Sequence, residues 1–180
     1  MERADLLAEQ LGLPVRDRRL LAQALTHTSW LHEHPGEAAG HNERLEFLGD
    51  AVINLAVSEA LYGRHPDDDE GVLSARRAAI VSATGLAALA SRMDLGAFLS
   101  LGEGESGRAG RERPSILASA FEAIAFDILR SESPGANNGL RSRIRGASSI
   151  KWAAILRPLH RYAISGRIGD HIKQETSGGE

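Results

Sequence analysis

The chain contains no cysteine. That excludes disulfides, thiolate-bound zinc and a cysteine nucleophile, and it suits a reducing compartment such as the cytoplasm, which is the expected location. Aromatic residues are scarce: two Trp, two Tyr and four Phe, 4% of the chain. Strands draw on aromatic and β-branched side chains, and no stretch alternates apolar and polar residues with period two, so a sheet is not expected. No apolar run approaches the roughly 18 residues that span a bilayer. The opening Met1-Glu2-Arg3-Ala4-Asp5 carries acids where a secretion signal would carry a basic flank and an apolar run.

Ala and Leu are plentiful, and 42% of the 180 residues are hydrophobic, enough for one core without a covalent staple. The net charge of −3 is unevenly spread. Residues 1–130 hold 13 Lys+Arg against 20 Asp+Glu, a balance of −7, and residues 131–180 hold 8 against 4, a balance of +4. An acidic body suits either a carboxylate-rich metal site or a solvated surface, and a basic tail suits either phosphate contact or solubility.

Helix patterns fill the first 130 residues. They predict helices over Ala4–Leu11, Asp17–Thr28, a segment from Asn42 to about Leu61, Val72–Ser82 and Thr84–Met93, and one opened by Pro114 and reaching Arg130. Asn42 is placed to cap its helix. Residues 31–41, His65–Glu70 and the Gly-rich stretch from Gly102 to Gly110 read as loops. Ser131–Asn138 is a break, and Ile150–Leu156 suggests one more short helix.

The informative segment is Asn42-Glu43-Arg44-Leu45-Glu46-Phe47-Leu48-Gly49-Asp50-Ala51-Val52. On a helix advancing about 100° per residue, Asp50 lies about 20° and Glu46 about 60° to one side of Glu43. Leu45, Leu48, Val52 and Leu55 fall on the opposite side, at about 120–200°. Three like charges on one face repel one another, and Arg44, at about 100°, points away from them. A hard divalent cation such as magnesium would neutralise the stripe; an acidic solvated face is the plain alternative. Phe47, at about 40°, sits beside the acids and off the aliphatic side, an odd place for an aromatic unless a partner covers it. A second cluster, Ser119 and Glu122, shares a helix face with spacing i,i+3 among Ala, Phe and Ile, where a buried acid needs a partner or a metal.

Together these segments resemble the catalytic domain of the ribonuclease III family. The likeness lies in Asn42–Val52, in Ala24-Leu25-Thr26-His27-Thr28-Ser29, in Asp69-Glu70-Gly71, and in Leu101-Gly102-Glu103-Gly104-Glu105, Arg113 and Ser115–Ala118 ahead of Phe121-Glu122-Ala123. The resemblance implies an all-α endonuclease domain over residues 1–130, which hydrolyses double-stranded RNA in ribosomal and messenger RNA processing. It implies Asp50 and Glu122 as catalytic acids, and Glu46, Ser119 and Glu122 as ligands of magnesium, with manganese as a substitute. It further implies Glu43 and Glu70 as acids of the cleavage valley, and Phe47 as an anchor in a homodimer. Ser119 stands where the family usually carries Asp; its hydroxyl is a weak, neutral ligand or a holder of metal-bound water. Residues 131–180 show no double-stranded-RNA-binding domain. A catalytically impaired dimeric module that binds RNA or assists assembly is the alternative reading. The Gly102–Gly110 stretch is no phosphate cradle, lacking both a preceding strand and a Lys-Ser/Thr ending. His27 reads as a hydrogen-bonded structural histidine rather than a base. His32, His34 and His41 lie in a loop that does not fix a metal spacing. No Asp/His pattern accompanies Ser29, which argues against serine hydrolysis.

Overall fold

The computed structural model describes residues 3–12 and 17–131. The expected helix over 150–156 and the tail from residue 132 lie outside them. Helices make up the described chain: α1 (Arg3–Leu11), α2 (Arg18–Ala24), α3 (Thr28–Glu33), α4 (Glu43–Arg64), α5 (Glu70–Val81), α6 (Ala83–Arg92), α7 (Leu95–Phe98), α8 (Glu103–Ser106), a 3-10 turn (Gly110–Glu112) and α9 (Pro114–Ser131). Among the described residues no strand forms, as expected; a lone parallel bridge joins Thr26 to Ser100. No single described helix is long and apolar enough to cross a membrane.

Side-chain caps set several starts. Asp17 accepts from the Leu20 N–H at 3.1 Å, Asp69 from Val72 at 2.9 Å and Ser82 from Gly85 at 3.1 Å, each satisfying an N–H that the helix leaves open. Asp69 is therefore a cap rather than only a solvated turn, and Asp68 pairs with Arg76 Nε at 2.8 Å.

Three expectations need correction. The helix expected over Asp17–Thr28 breaks after Ala24. The Ser100 N–H donates to the Leu25 carbonyl (2.9 Å) and the His27 N–H to the Ser100 carbonyl (3.0 Å), so a distant strap diverts the backbone that would have continued the helix. α3 then forms from residues 28–33, partly in the expected loop, with His27 as its cap: Nδ1 accepts from the Ser29 N–H. Asn42 does precede α4, but its side chain makes no capping bond. It is buried, and it works through its backbone, whose carbonyl accepts from Leu45 and Glu46 (both 2.8 Å) while its N–H reaches the Thr26 carbonyl (2.9 Å). The Gly102–Gly110 stretch is partly helical, carrying α8 and the start of the 3-10 turn.

α9 is the hub. It packs chiefly against α4 and α6, with further contacts to α2, α7 and the 3-10 turn. Ile116, Leu117, Ala118, Ala120, Phe121, Ala123, Ile124, Ala125 and Ile128 are all buried. Such residues supply most of the folding free energy, about 1.5–3 kcal/mol for each large side chain removed from water. The fourth correction concerns α4. Its core face is Leu45, Gly49, Ile53, Ala56, Val57 and Leu61, whereas Leu48 and Leu55, assigned to the core side by the wheel, stay exposed at 43% and 47%. A small residue decides this: Gly49 lets α9 approach closely, which a Leu-lined face would prevent.

Candidate active site

The closest approach of α4 and α9 positions the acids. A Cβ built on Gly49 would overlap the carbonyl of Glu122 and come within 3.1 Å of its Cα. Only glycine fits, so the two backbones touch there. Glu46 and Asp50, one turn before and one residue after Gly49, stand at the edge of this seam. On α9 the seam meets the strip that the core leaves partly open: Ser119, Glu122 and Phe126, spaced i, i+3 and i+7, are half-buried between fully buried neighbours.

Two helices thus bring three carboxyls into one electrostatic neighbourhood. The Glu122 carboxyl is pushed up to about 7, first by burial, then by the negative charge of Asp50, then by that of Glu46. No positively charged side chain among the described residues offsets that rise. Asp50 accepts from Asn54 Nδ2 at 2.8 Å; no ion pair among the described residues involves Glu46, Asp50 or Glu122. Uncompensated carboxylates fit a hard, oxygen-seeking divalent cation, which would remove the repulsion that raises Glu122. The side chains form an open cluster rather than a closed cage: among the described residues no three of His, Asp and Glu already converge as a ligand set.

The remaining residues singled out in the sequence are spread over several helices. Ser119 sits one turn before Glu122 on the same strip. Glu43, exposed at the start of α4, lies 3.7 Å from His41 Nδ1 and is not among the charges acting on Glu122. Glu70 opens α5, is exposed, and accepts from Ser74 Oγ at 2.7 Å; it too is absent from the charges on Glu122. The loop histidines do not gather: His34 stacks on Trp30 with ring centroids 3.8 Å apart, and His32 is exposed. Phe47 is 77% exposed. It begins an uncovered apolar stripe that continues through Leu48 and Leu55 to Tyr62, itself 77% exposed, with Val72 of α5 also exposed.

The sequence passed over a second group beside the acids. His27 lies within the influence of Glu105, Glu43, Arg113 and Glu46, and burial holds its ring below the ordinary histidine value despite those glutamates. Glu105 and Arg113 form an ion pair at 2.6 Å. The sequence named His27, Glu43, Glu105 and Arg113 separately, in the segments that carry the family resemblance, but gave no sign that they meet, which depends on the Ser100 segment pairing with residues 25–27. A groove of about 510 Å³, lined in part by Arg18, Arg19, Gln23 and Trp30, shares no residue with the acid cluster.

A family model described as Ribonuclease-III-like matches residues 17–129. Proteins named Ribonuclease 3 from Heliobacterium modesticaldum and Desulforamulus reducens are each 51% identical, over 125 and 123 residues, which is 69% and 68% of this chain and 53% and 50% of theirs. The chain spans about half the length of these curated relatives. A crystal structure of the nuclease domain of ribonuclease III from Campylobacter jejuni superposes with a TM-score of 0.67 at 35% identity, covering 87% of this chain and 96% of that one. A second structure of that domain, described in terms of flexibility in a region involved in dimer formation, gives 0.66 at 36% identity, covering 84% and 95%.

Proposed function

The chain belongs to the ribonuclease-III-like family, and from that premise we propose that it is an endoribonuclease. It hydrolyses phosphodiester bonds of double-stranded RNA with magnesium, acts as a homodimer in the cytoplasm, and serves the processing of ribosomal and messenger RNA. The observation that carries this reading is the raised carboxyl of Glu122, held by the α4–α9 seam beside Asp50 and Glu46.

Glu46, Asp50 and Glu122 would hold the magnesium, with manganese as a substitute and the Ser119 hydroxyl as a neutral addition. Such an ion would supply an activated water and charge neutralisation at the departing 3′ oxygen. The protein's own contribution is to keep three carboxylates together against their repulsion, which the fixed backbone contact at Gly49 achieves. Glu122 Oε holds a proton up to about pH 7 and must release it to act as a ligand. Glu43 and Glu70 would flank the substrate strand. Duplex RNA would be read by its A-form shape and 2′-hydroxyls rather than by sequence. The stripe from Phe47 to Tyr62 offers the surface for a second copy, because a row of large apolar side chains on one helix edge fits burial against a partner.

The test is incubation of the purified chain with long duplex RNA, with magnesium, with manganese and with chelator. Cleavage that stops with chelator and in Glu122→Ala supports the proposal. Ser119 favours one alternative, since a hydroxyl brings no negative charge to the cluster: a dimeric module that binds RNA or assists assembly without cutting it. RNA that is retarded but intact with either metal would establish that alternative.

A further inference from the structure

His27 is held in one form by a chain of hydrogen bonds that begins 75 residues away in sequence. The Gly102 N–H donates to Ser29 Oγ at 3.0 Å. That oxygen lies 2.8 Å from His27 Nδ1, to which its own proton is free to point. The Ser29 backbone N–H donates to the same Nδ1 at 3.2 Å. Two donors directed at Nδ1 require an unprotonated nitrogen there, so the single ring proton of the neutral histidine resides on Nε2. The scaffold behind this arrangement is closely packed. A side chain at Gly102 would collide with Glu33 and come within 2.9 Å of the Ser29 carbonyl, and Glu33 accepts from the Glu103 N–H at 2.7 Å.

Nε2 makes no hydrogen bond with the described residues and is not sealed from solvent. It is an open donor on a ring that lies within the influence of Glu105, Glu43, Arg113 and Glu46, three of the four negative. The nearby guanidinium of Arg113 is already occupied by Glu105. A phosphodiester backbone entering such surroundings meets repulsion, and a cationic side chain there would be captured by the glutamates. A neutral N–H avoids capture and still bonds a phosphate oxygen.

We propose that His27 is a substrate-positioning residue of the RNA-cleaving site, its Nε2–H donating to a backbone phosphate oxygen of the duplex beside Glu43 and Glu46. The inference rests on the nuclease reading above. It adds a contact made by a neutral donor, and that sets its signature: such a contact displaces no counterion, so it contributes affinity without contributing to the salt dependence of binding.

The experiment uses the full chain. His27→Ala and His27→Gln are compared with wild type in steady-state cleavage of duplex RNA, in thermal melting, and in duplex binding across a salt series on a Glu122→Gln background. His27→Ala is expected to raise KM roughly tenfold, the worth of one hydrogen bond to a charged acceptor, with kcat within about twofold of wild type. His27→Gln, whose amide can reach the same acceptor, should recover most of that loss. The slope of log affinity against log salt should not change in either. An unchanged KM in His27→Ala would overturn the proposal and leave His27 as a cap of α3. So would a slope reduced by about one, which marks a charged contact. A wild-type chain that leaves duplex RNA intact would remove the nuclease reading itself, and the proposal with it; the wild-type control tells that failure apart from failure of the His27 contact alone.

Discussion

Gly49 of α4 lies against the carbonyl oxygen of Glu122 in α9 with no room for a methyl group between them. The contact is structural and chemical at once, since it joins the two helices that carry the acids. Gly49→Ala must push the helices apart. Overpacking of this kind costs about 1–3 kcal/mol. A lower melting temperature is expected, together with a loss of RNA cleavage larger than the unfolded fraction explains. Melting and cleavage unchanged from wild type would mean that the seam yields without consequence.

Glu122 makes stability depend on pH in a definite direction. Its folded-state value, about 7, lies above the ordinary 4.5. Between those values the unfolded chain loses a proton that the folded chain keeps. The contribution is therefore complete below about pH 4.5 and is lost as pH rises through about 7. In the metal-free protein, Glu122→Gln should melt higher than wild type at pH 8, with the difference vanishing near pH 4.5. The effect is on the order of 1 kcal/mol, reduced from the full linkage value because the carboxyl is partly solvated. Parallel melting curves at both pH values would count against the assignment.

Magnesium should reverse that penalty. Added to wild type at pH 8 it should raise the melting temperature, since it binds the folded cluster better than the unfolded chain. The rise should be lost in Glu46→Ala and in Asp50→Ala. Differential scanning calorimetry with and without chelator measures it directly.

Ser119 sets how much metal is needed. Ser119→Asp adds a carboxylate to the strip that carries Glu122, and should lower the magnesium concentration for half-maximal cleavage by about tenfold, since metal affinity follows the number of anionic ligands. An unchanged magnesium requirement would show that residue 119 is no ligand.

Phe47 tests the proposed homodimer. Placing a charge in the exposed stripe, Phe47→Arg, should weaken self-association by about thirtyfold or more if the ring is an interface anchor. Sedimentation over a range of concentrations reads this, and an unchanged mass would remove Phe47 from the interface.

The acids were legible in the sequence because their chemistry is local: Glu46 and Asp50 share a helix edge by spacing alone, and the Phe121-Glu122-Ala123 segment announced its helix through Pro114. The direction of the α4 core was not legible. Hydropathy chose Leu48 and Leu55, but the helix turned Gly49 towards α9, because closeness of the two helices outweighed the area of two leucines. The break between α2 and α3 was hidden for a related reason: Ser100 takes the backbone bonds of residues 25–27, and no local pattern reports a partner so distant. His27 was recognised as hydrogen-bonded, but its nearness to Glu43, Glu46 and Glu105 exists only once the strap has crossed α3. Asn42 was placed correctly at the start of α4, though it works through its backbone rather than its amide.

Because the middle of α9, from Ile116 to Ile128, is mostly buried, its amides should be among the slowest to exchange with deuterated solvent, opening only when the whole molecule opens. An acid mounted on such a helix has no private route to failure. Warming should leave the acid cluster intact until cooperative collapse, so that loss of the proposed RNA cleavage and loss of helical ellipticity fall on one curve.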